Sequence, residues 1–157
     1  MPIIQLEMKI NAEIGIVFDL SRSIDLHKIS TRHTHEEAVA GVTSGLIKMG
    51  ESVTWRAKHF GIYQKLTSKI TAFDRPNYFV DEMVKGAFKR FKHEHIFEEQ
   101  EGKTLMKDVF EYESPLGLLG NMADALILEK YMRRLLEKRN ETIKVFAETE
   151  RWKEVLG

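Results

Sequence analysis

The sequence predicts an α+β fold in which an antiparallel sheet of six or seven strands wraps around a long C-terminal helix. Three observations predict it. Ile4, Leu6, Met8 and Ile10 alternate with Gln5, Glu7 and Lys9 near the N-terminus. Five further alternating blocks follow one another between Glu51 and Glu113. From about Asn121 to Glu150, apolar residues recur at three- and four-residue spacing. The first two patterns have the period of half-buried strands, the third that of a helix.

After the first strand, Asn11 is placed to cap a helix carrying Ile14, Val17 and Phe18, and Ser23-Asp25 marks a second start before Leu26 and Ile29. Two short helices are expected. Thr31 to Gly50 has no sustained period and reads as a connection with one short strand near Glu37 to Val42. The strand blocks are expected at Glu51 to Phe60, Tyr63 to Asp74, Tyr78 to Lys85, Lys89 to Glu98 and Thr104 to Glu113. Their separators are short enough for hairpins, so neighbours are antiparallel. Pro115, Gly117 and Gly120 then break the ladder before the final helix, which carries Met122, Leu126, Met132, Leu136, Ile143 and Phe146. A sheet covered by one long terminal helix is held apart at its centre, and a cavity is expected there.

The chain has 157 residues, 43% hydrophobic and 31% charged, which suits one folded core and excludes a disordered chain. A single domain over residues 1–157 is expected. No apolar stretch of about 20 residues is present to span a bilayer, and no secretory pattern is visible at the N-terminus, so a soluble, cytoplasmic protein is expected. The absence of cysteine excludes disulfides, thiolate metal sites and a cysteine nucleophile. Twenty-four basic residues balance twenty-four acidic ones, leaving no global field for nucleic acid or an anionic membrane. Gly41-Val42-Thr43-Ser44-Gly45 lacks the lysine and the strand-to-helix context of a phosphate loop. Ser44, Ser68 and Ser114 lie in no nucleophile-elbow motif.

The order of elements, together with Thr54-Trp55-Arg56-Ala57-Lys58-His59-Phe60-Gly61, Gly86-Ala87-Phe88-Lys89-Arg90-Phe91-Lys92-His93-Glu94-His95 and Asp108-Val109-Phe110-Glu111-Tyr112-Glu113-Ser114-Pro115-Leu116-Gly117, resembles the START-like, or SRPBCC, helix-grip superfamily over nearly the whole chain. That superfamily includes lipid-transfer domains, polyketide cyclase/dehydratases and plant pollen-allergen-type proteins. The resemblance implies a cavity between sheet and helix that holds an apolar or amphipathic ligand. It does not choose between carrier and enzyme, because one scaffold hosts many functions.

Alternation assigns the cavity face. Phe91, His93, His95 and Phe97 share one side of their strand, and Thr104, Met106, Asp108, Phe110 and Tyr112 one side of the next. A tight connection at Glu99 to Gly102 would set His95 against Met106 and His93 against Asp108, with Asp81 on the other flank of His93. The expected result is a polar row of Asp81, His93 and Asp108 in an apolar wall, approached by Trp55, His59 and Ser68. Met106, Met122 and Met132 would add adaptable lining.

Three functions remain open. The first is binding, sequestration or transport of a small hydrophobic or amphipathic molecule. The second is a cyclase/dehydratase-type enzyme with His93 as base, oriented by Asp108 or Asp81. The third is a protein-interaction module whose cavity is filled. No cofactor is expected. His93-Glu94-His95 puts two imidazoles about 7 Å apart on one strand face, and Asp108 or Asp81 could complete a metal set, but no metal is assigned. Lys130, Arg133, Arg134, Lys138, Arg139 and Lys144 form a basic helix face, read as solvated, with peripheral lipid contact as the alternative. The opening is expected between Ser114 to Gly120, the start of the long helix and the first helical pair. Monomer and homodimer are both compatible with the sequence.

Overall fold

The computed structural model describes residues 2–114 and 122–157, with the side chains of the last long helix described from Ala125 onward. The chain runs β1 (Ile3–Ile10), α1 (Ile14–Ser21), α2 (Ile24–Ser30), a 3-10 turn (Arg32–Thr34), β2 (Glu37–Gly41), β3 (Ser52–His59), β4 (Ile62–Asp74), β5 (Tyr78–Lys85), β6 (Arg90–Gln100), β7 (Lys103–Glu113), α3 (Met122–Glu148) and α4 (Trp152–Leu156). The seven strands form one antiparallel sheet in the order β1-β7-β6-β5-β4-β3-β2. Because β1 and β2 lie at opposite edges, α1 and α2 must carry the chain from one edge to the other, and they pack on α3 as they do so. Register shifts in β2–β3 and β4–β5 mark bulges, which add twist where the sheet curves.

One expectation of register is corrected. β6 and β7 are joined by the two-residue turn Glu101-Gly102, whose φ angles of 52° and 78° both lie in the left-handed region. Such a turn matches the natural twist of a hairpin and lets both strands run up to it. Gln100 therefore pairs with Lys103, which slides every partner by two residues from the longer connection expected. Phe97 faces Met106, His95 faces Asp108, and His93 faces Phe110. A slip of two leaves each side chain on its expected face. Asp81 pairs with His93 on the other flank, as counted from the sequence.

The helix starts also differ in detail. Ser23 accepts from Leu26 N at 3.1 Å and caps α2, whereas α1 has no side-chain cap and Asn11 instead donates its backbone N–H to Glu148 Oε2 at 2.8 Å. This ties the end of β1 to the end of α3. With 27 residues α3 is about 40 Å long, and its Leu136, Ile143, Phe146 and Ala147 are buried.

Among the described residues, the core has two apolar clusters. One gathers Phe18, Leu20, Phe97, Met106, Ile143 and Phe146; the other gathers Ile4, Phe91, Phe110, Tyr112 and Leu136. On β6, His93 and His95 lie between Phe91 and Phe97. On β7, Asp108 lies between Met106 and Phe110, and on α3, Arg139 and Asn140 lie between Leu136 and Ile143. A buried polar band thus crosses three elements at one level. Among the described residues, no helix is long and apolar enough to cross a membrane.

Phe18 anchors the first cluster: it is fully buried, with edge-on contacts to Phe73, Phe79 and Phe97 at ring separations of 5.3–5.4 Å. Phe18→Ala is expected to lower the unfolding free energy by about 3–5 kcal/mol, measured by urea denaturation. A loss below about 1 kcal/mol would mean that α1 is not held by this ring.

Candidate functional site

The polar band opens on a cavity of about 500 Å³ between the sheet and α3. Of the residues expected at its wall, Trp55, His59, Ser68, Phe91, His95, Phe110 and Met132 line it, and so do Asp81 and His93. Three expectations need correction. Met106 is buried beneath α1, where its sulfur accepts from Ser21 Oγ at 3.7 Å, and Tyr112 is buried against Phe88 and Phe110. Strand alternation assigns a face but not a position along the cavity, and these two residues lie toward opposite ends of β7. Asp108, 1% exposed, lies behind the histidines rather than at the cavity surface. The side chain of Met122 and the segment 115–120, which includes most of the expected opening, lie outside the described residues. Phe60, Ile62 and Ile127 both line the cavity and are exposed, so the cavity reaches the surface between the β3–β4 hairpin and α3.

At the band the pairs are crossed. His93 stands opposite Asp81 in register but bonds Asp108 Oδ1 through Nε2 at 2.8 Å; His95 stands opposite Asp108 but bonds Asp81 Oδ1 through Nε2 at 2.6 Å. The two imidazoles lie 3.8 Å apart between centroids, and His95 stacks on Phe79 at 4.0 Å. Asp108 is further held by Asn140 Nδ2, which donates to Oδ2 at 2.7 Å, and by Arg139 NH1 at 3.5 Å from Oδ1. Arg139 also donates to Asn140 Oδ1, to the carbonyl of Ser21 and toward His95 Nδ1, at 3.0, 3.1 and 3.3 Å. A guanidinium can only donate. His95 Nδ1 therefore accepts in this arrangement, and its Nε2–H goes to Asp81. His93 Nδ1 lies 3.9 Å from Asp81 Oδ1, beyond hydrogen-bonding distance.

Neither Arg139 nor Asn140 is among the site residues expected from the sequence, and Arg139 is expected there on a solvated basic face; it is 6% exposed and turned inward. A signal for this exists. Arg139 falls three residues after Leu136 and four before Ile143, on the apolar stripe of the helix. Lys130, Arg134 and Lys138 of the same expected face are exposed.

Burial acts first on His93, and with the neighbouring His95 it holds the imidazole below its ordinary value against the pull of Asp108 and Asp81. For both carboxylates burial works upward. At Asp81 it is outweighed by the His95 hydrogen bond and the charges nearby, so the group stays below the usual range. At Asp108 the His93 and His95 contacts and Arg139 outweigh it further, holding the group well below that range. Beside the two histidines, the band sets the carboxylates of Asp81 and Asp108 against the one guanidinium of Arg139.

A second polar group sits on the same cavity. His27 Nε2 bonds Glu36 Oε1 at 2.7 Å, His27 packs on Trp55 at 4.3 Å between ring centroids, and His59 Nδ1 bonds the Tyr131 hydroxyl. Burial works to raise Glu36, but His27 and His59 outweigh it and hold the carboxyl low. Of the residues in this group, Trp55 and His59 are expected from the sequence.

No family model matches the chain, and no curated protein sequence matches it. Solved structures do resemble it. The protein TTHA0849 from Thermus thermophilus superposes with a TM-score of 0.75 at 19% identity, covering 98% of each chain. A START superfamily protein from Mycobacterium smegmatis gives a TM-score of 0.67 at 11% identity, covering 93% of this chain and 97% of the other. The ginseng major latex-like protein 151 from Panax ginseng gives 0.66 at 15% identity, covering 94% and 98%. The fold is therefore the START-like helix-grip fold, and at these identities the likeness speaks for the fold alone.

The perturbed groups set the response to acid. His93 stays neutral in the fold while the unfolded chain takes up a proton near the ordinary value of 6.5, so stability falls as pH drops below about that value. Asp81 and Asp108, held below the ordinary 3.8, stabilise the fold above that value, and this contribution is lost as pH falls through their lower folded values. Urea unfolding from pH 8 to pH 3 is expected to show two declining legs, with His93→Gln making the upper one shallower. Identical upper legs in wild type and variant would contradict a neutral buried His93.

Proposed function

We propose that the chain binds a small apolar or amphipathic molecule in this cavity, with its polar end on Asp81, His93 and His95 and its body along Trp55, Leu66, Phe91, Phe110 and Leu136. The observation that carries the proposal is the cavity itself: about 500 Å³, mostly apolar in lining, with a few convergent polar groups on one wall. Small-molecule sites commonly have this size and composition. A cavity of this size also weighs against an interaction module with a filled core.

The wall narrows the head group. Asp81 accepts, and His93 Nδ1 faces it without a donor within hydrogen-bonding distance among the described residues. Two carboxylates against one guanidinium leave an excess negative charge, which disfavours a carboxylate ligand. A hydroxyl, phenol, amide or amine fits; a fatty-acid carboxylate does not.

A second reading, catalysis of the cyclase/dehydratase kind, is supported by one feature. Asp108 takes the Nε2–H of His93 and so leaves the Nδ1 lone pair on the cavity side, an arrangement that orients a general base.

Native mass spectrometry with solvent extraction should recover a bound molecule. In a Trp152→Phe background, Trp55 emission should respond saturably to amphiphiles with donor head groups and weakly to matched carboxylates. No response across such a panel, with no molecule recovered, would overturn the binding proposal. His93→Gln divides the two readings. If His93 is a base, the extracted molecule should still bind while its conversion falls about 100-fold or more; if the site only binds, wild type leaves the molecule chemically unchanged.

A further inference from the structure

The crossed pairing decides which nitrogen of each histidine turns toward Asp81 and which toward Asp108. Asp108 lies behind both imidazoles, 2.8 Å from His93 Nε2 and 3.5 Å from His95 Nδ1. Each histidine thus has one nitrogen toward the same buried carboxylate. The opposite nitrogens, His93 Nδ1 and His95 Nε2, both turn toward Asp81 Oδ1, at 3.9 and 2.6 Å. One ligand atom from each of Asp81, His93 and His95 lies within 4.8 Å of the others.

We propose that Asp81 Oδ1, His93 Nδ1 and His95 Nε2 form a binding site for a divalent transition-metal ion, with Asp108 as the carboxylate behind both histidines. Two imidazoles and one carboxylate are a donor set that suits zinc, cobalt or nickel and not calcium or magnesium. Tetrahedral zinc with bonds of about 2.0–2.1 Å needs its ligand atoms about 3.3 Å apart, so these three, now within 4.8 Å of one another, must turn to converge on the ion. Metal-bound histidines usually give their other N–H to a carboxylate or carbonyl, which fixes the ring and raises its basicity. Here Asp108 is placed to serve both rings and is itself held by Asn140 and Arg139. All three ligands line the cavity. The remaining coordination positions therefore face the space where water or the donor atom of a small molecule can enter.

One rearrangement is required. His95 must present Nε2 as a lone pair, so its proton moves to Nδ1 and points to Asp108. The contact from Arg139 to His95 Nδ1 is given up, while Arg139 keeps the Ser21 carbonyl and Asn140 Oδ1. The bound ion replaces the proton now shared by His95 and Asp81, and it offsets the excess negative charge of the band.

This inference concerns the same cavity as the proposed organic ligand but does not depend on that ligand, because it is read with metal alone. Untagged protein, stripped of metal and freed of chelator, is titrated with cobalt(II) near neutral pH. The expected result is one equivalent bound, with visible bands of four- or five-coordinate cobalt that zinc displaces and magnesium does not. Asp108→Asn should weaken binding about 10- to 100-fold, and Asp81→Ala should weaken it at least as much. Should either variant fail to fold, the ring nitrogens of wild-type histidines carry the test: zinc should move the nitrogen resonances of His93 and His95 and leave those of His27 and His59 in place. The inference is overturned by the absence of a cobalt spectrum in folded wild type, by binding that survives Asp81→Ala, or by zinc shifts confined to His27 and His59. Metal binding without any response to amphiphiles would sustain this inference and remove the organic-ligand proposal.

Discussion

A carboxylate buried between a sheet and a helix must be answered on every side, and Asp108 imposes that demand on this fold. A lone charge there would cost several kcal/mol. The donors that answer it come from separate parts of the chain: His93 on β6, and Arg139 and Asn140 on α3. Arg139 extends the same network to the end of α1 through the Ser21 carbonyl. One acidic side chain thereby fixes the height of the long helix over the sheet and the place where the first helix ends. Apolar contacts alone would leave α3 freer to slide, since dispersion and burial depend weakly on register, whereas hydrogen bonds depend on it sharply.

The same band explains why there is room for a ligand. Asp81 and His93 Nδ1 face the cavity with hydrogen-bonding capacity left over, and leucine or phenylalanine packed against them would leave that capacity unmet. The first apolar cluster, around Phe18, closes one side of the band, and the second, around Phe91 and Phe110, forms a wall on the other. Between them the cavity meets the cluster at Asp81, His93 and His95 and reaches the surface past Phe60, Ile62 and Ile127. The polar face of the cavity is thus the exposed side of a network whose buried side holds the fold together. A ligand or ion bound there would meet side chains already held by hydrogen bonds to one another, which suits precise positioning.

Much of this is legible in the sequence, and particular residues show where legibility stops. Period-two alternation puts His93, His95 and Asp108 on the inner face, and the structure buries all three. The pairing across β6 and β7 is displaced by two residues because it rests on whether Glu101 adopts a positive φ, which glutamate seldom does and which its neighbours alone do not dictate. That displacement turns an expected direct pair of His93 and Asp108 into a diagonal one, and it admits His95 to the cluster. Arg139 is visible as a charge on an apolar stripe, yet composition alone makes it one of several helix cations. His27 and Glu36 give no signal, since two polar residues nine apart on a helix and beyond a turn share no periodic pattern.

The sequence by itself determined the architecture: the alternating blocks, the short separators between them and the terminal amphipathic helix suffice for a curved antiparallel sheet around one helix. These are local properties, set by side-chain direction and backbone preference within a few residues. Only the tertiary structure decided which polar groups meet. The crossed histidines, the guanidinium behind them and the depth of Asp108 depend on a hairpin turn, a helix position and a sheet curvature acting together over separations of 31 and 44 residues. No local pattern encodes such a meeting, because the energy that selects it is the cost of leaving a buried charge unpaired, and that cost exists only once the chain has folded around it.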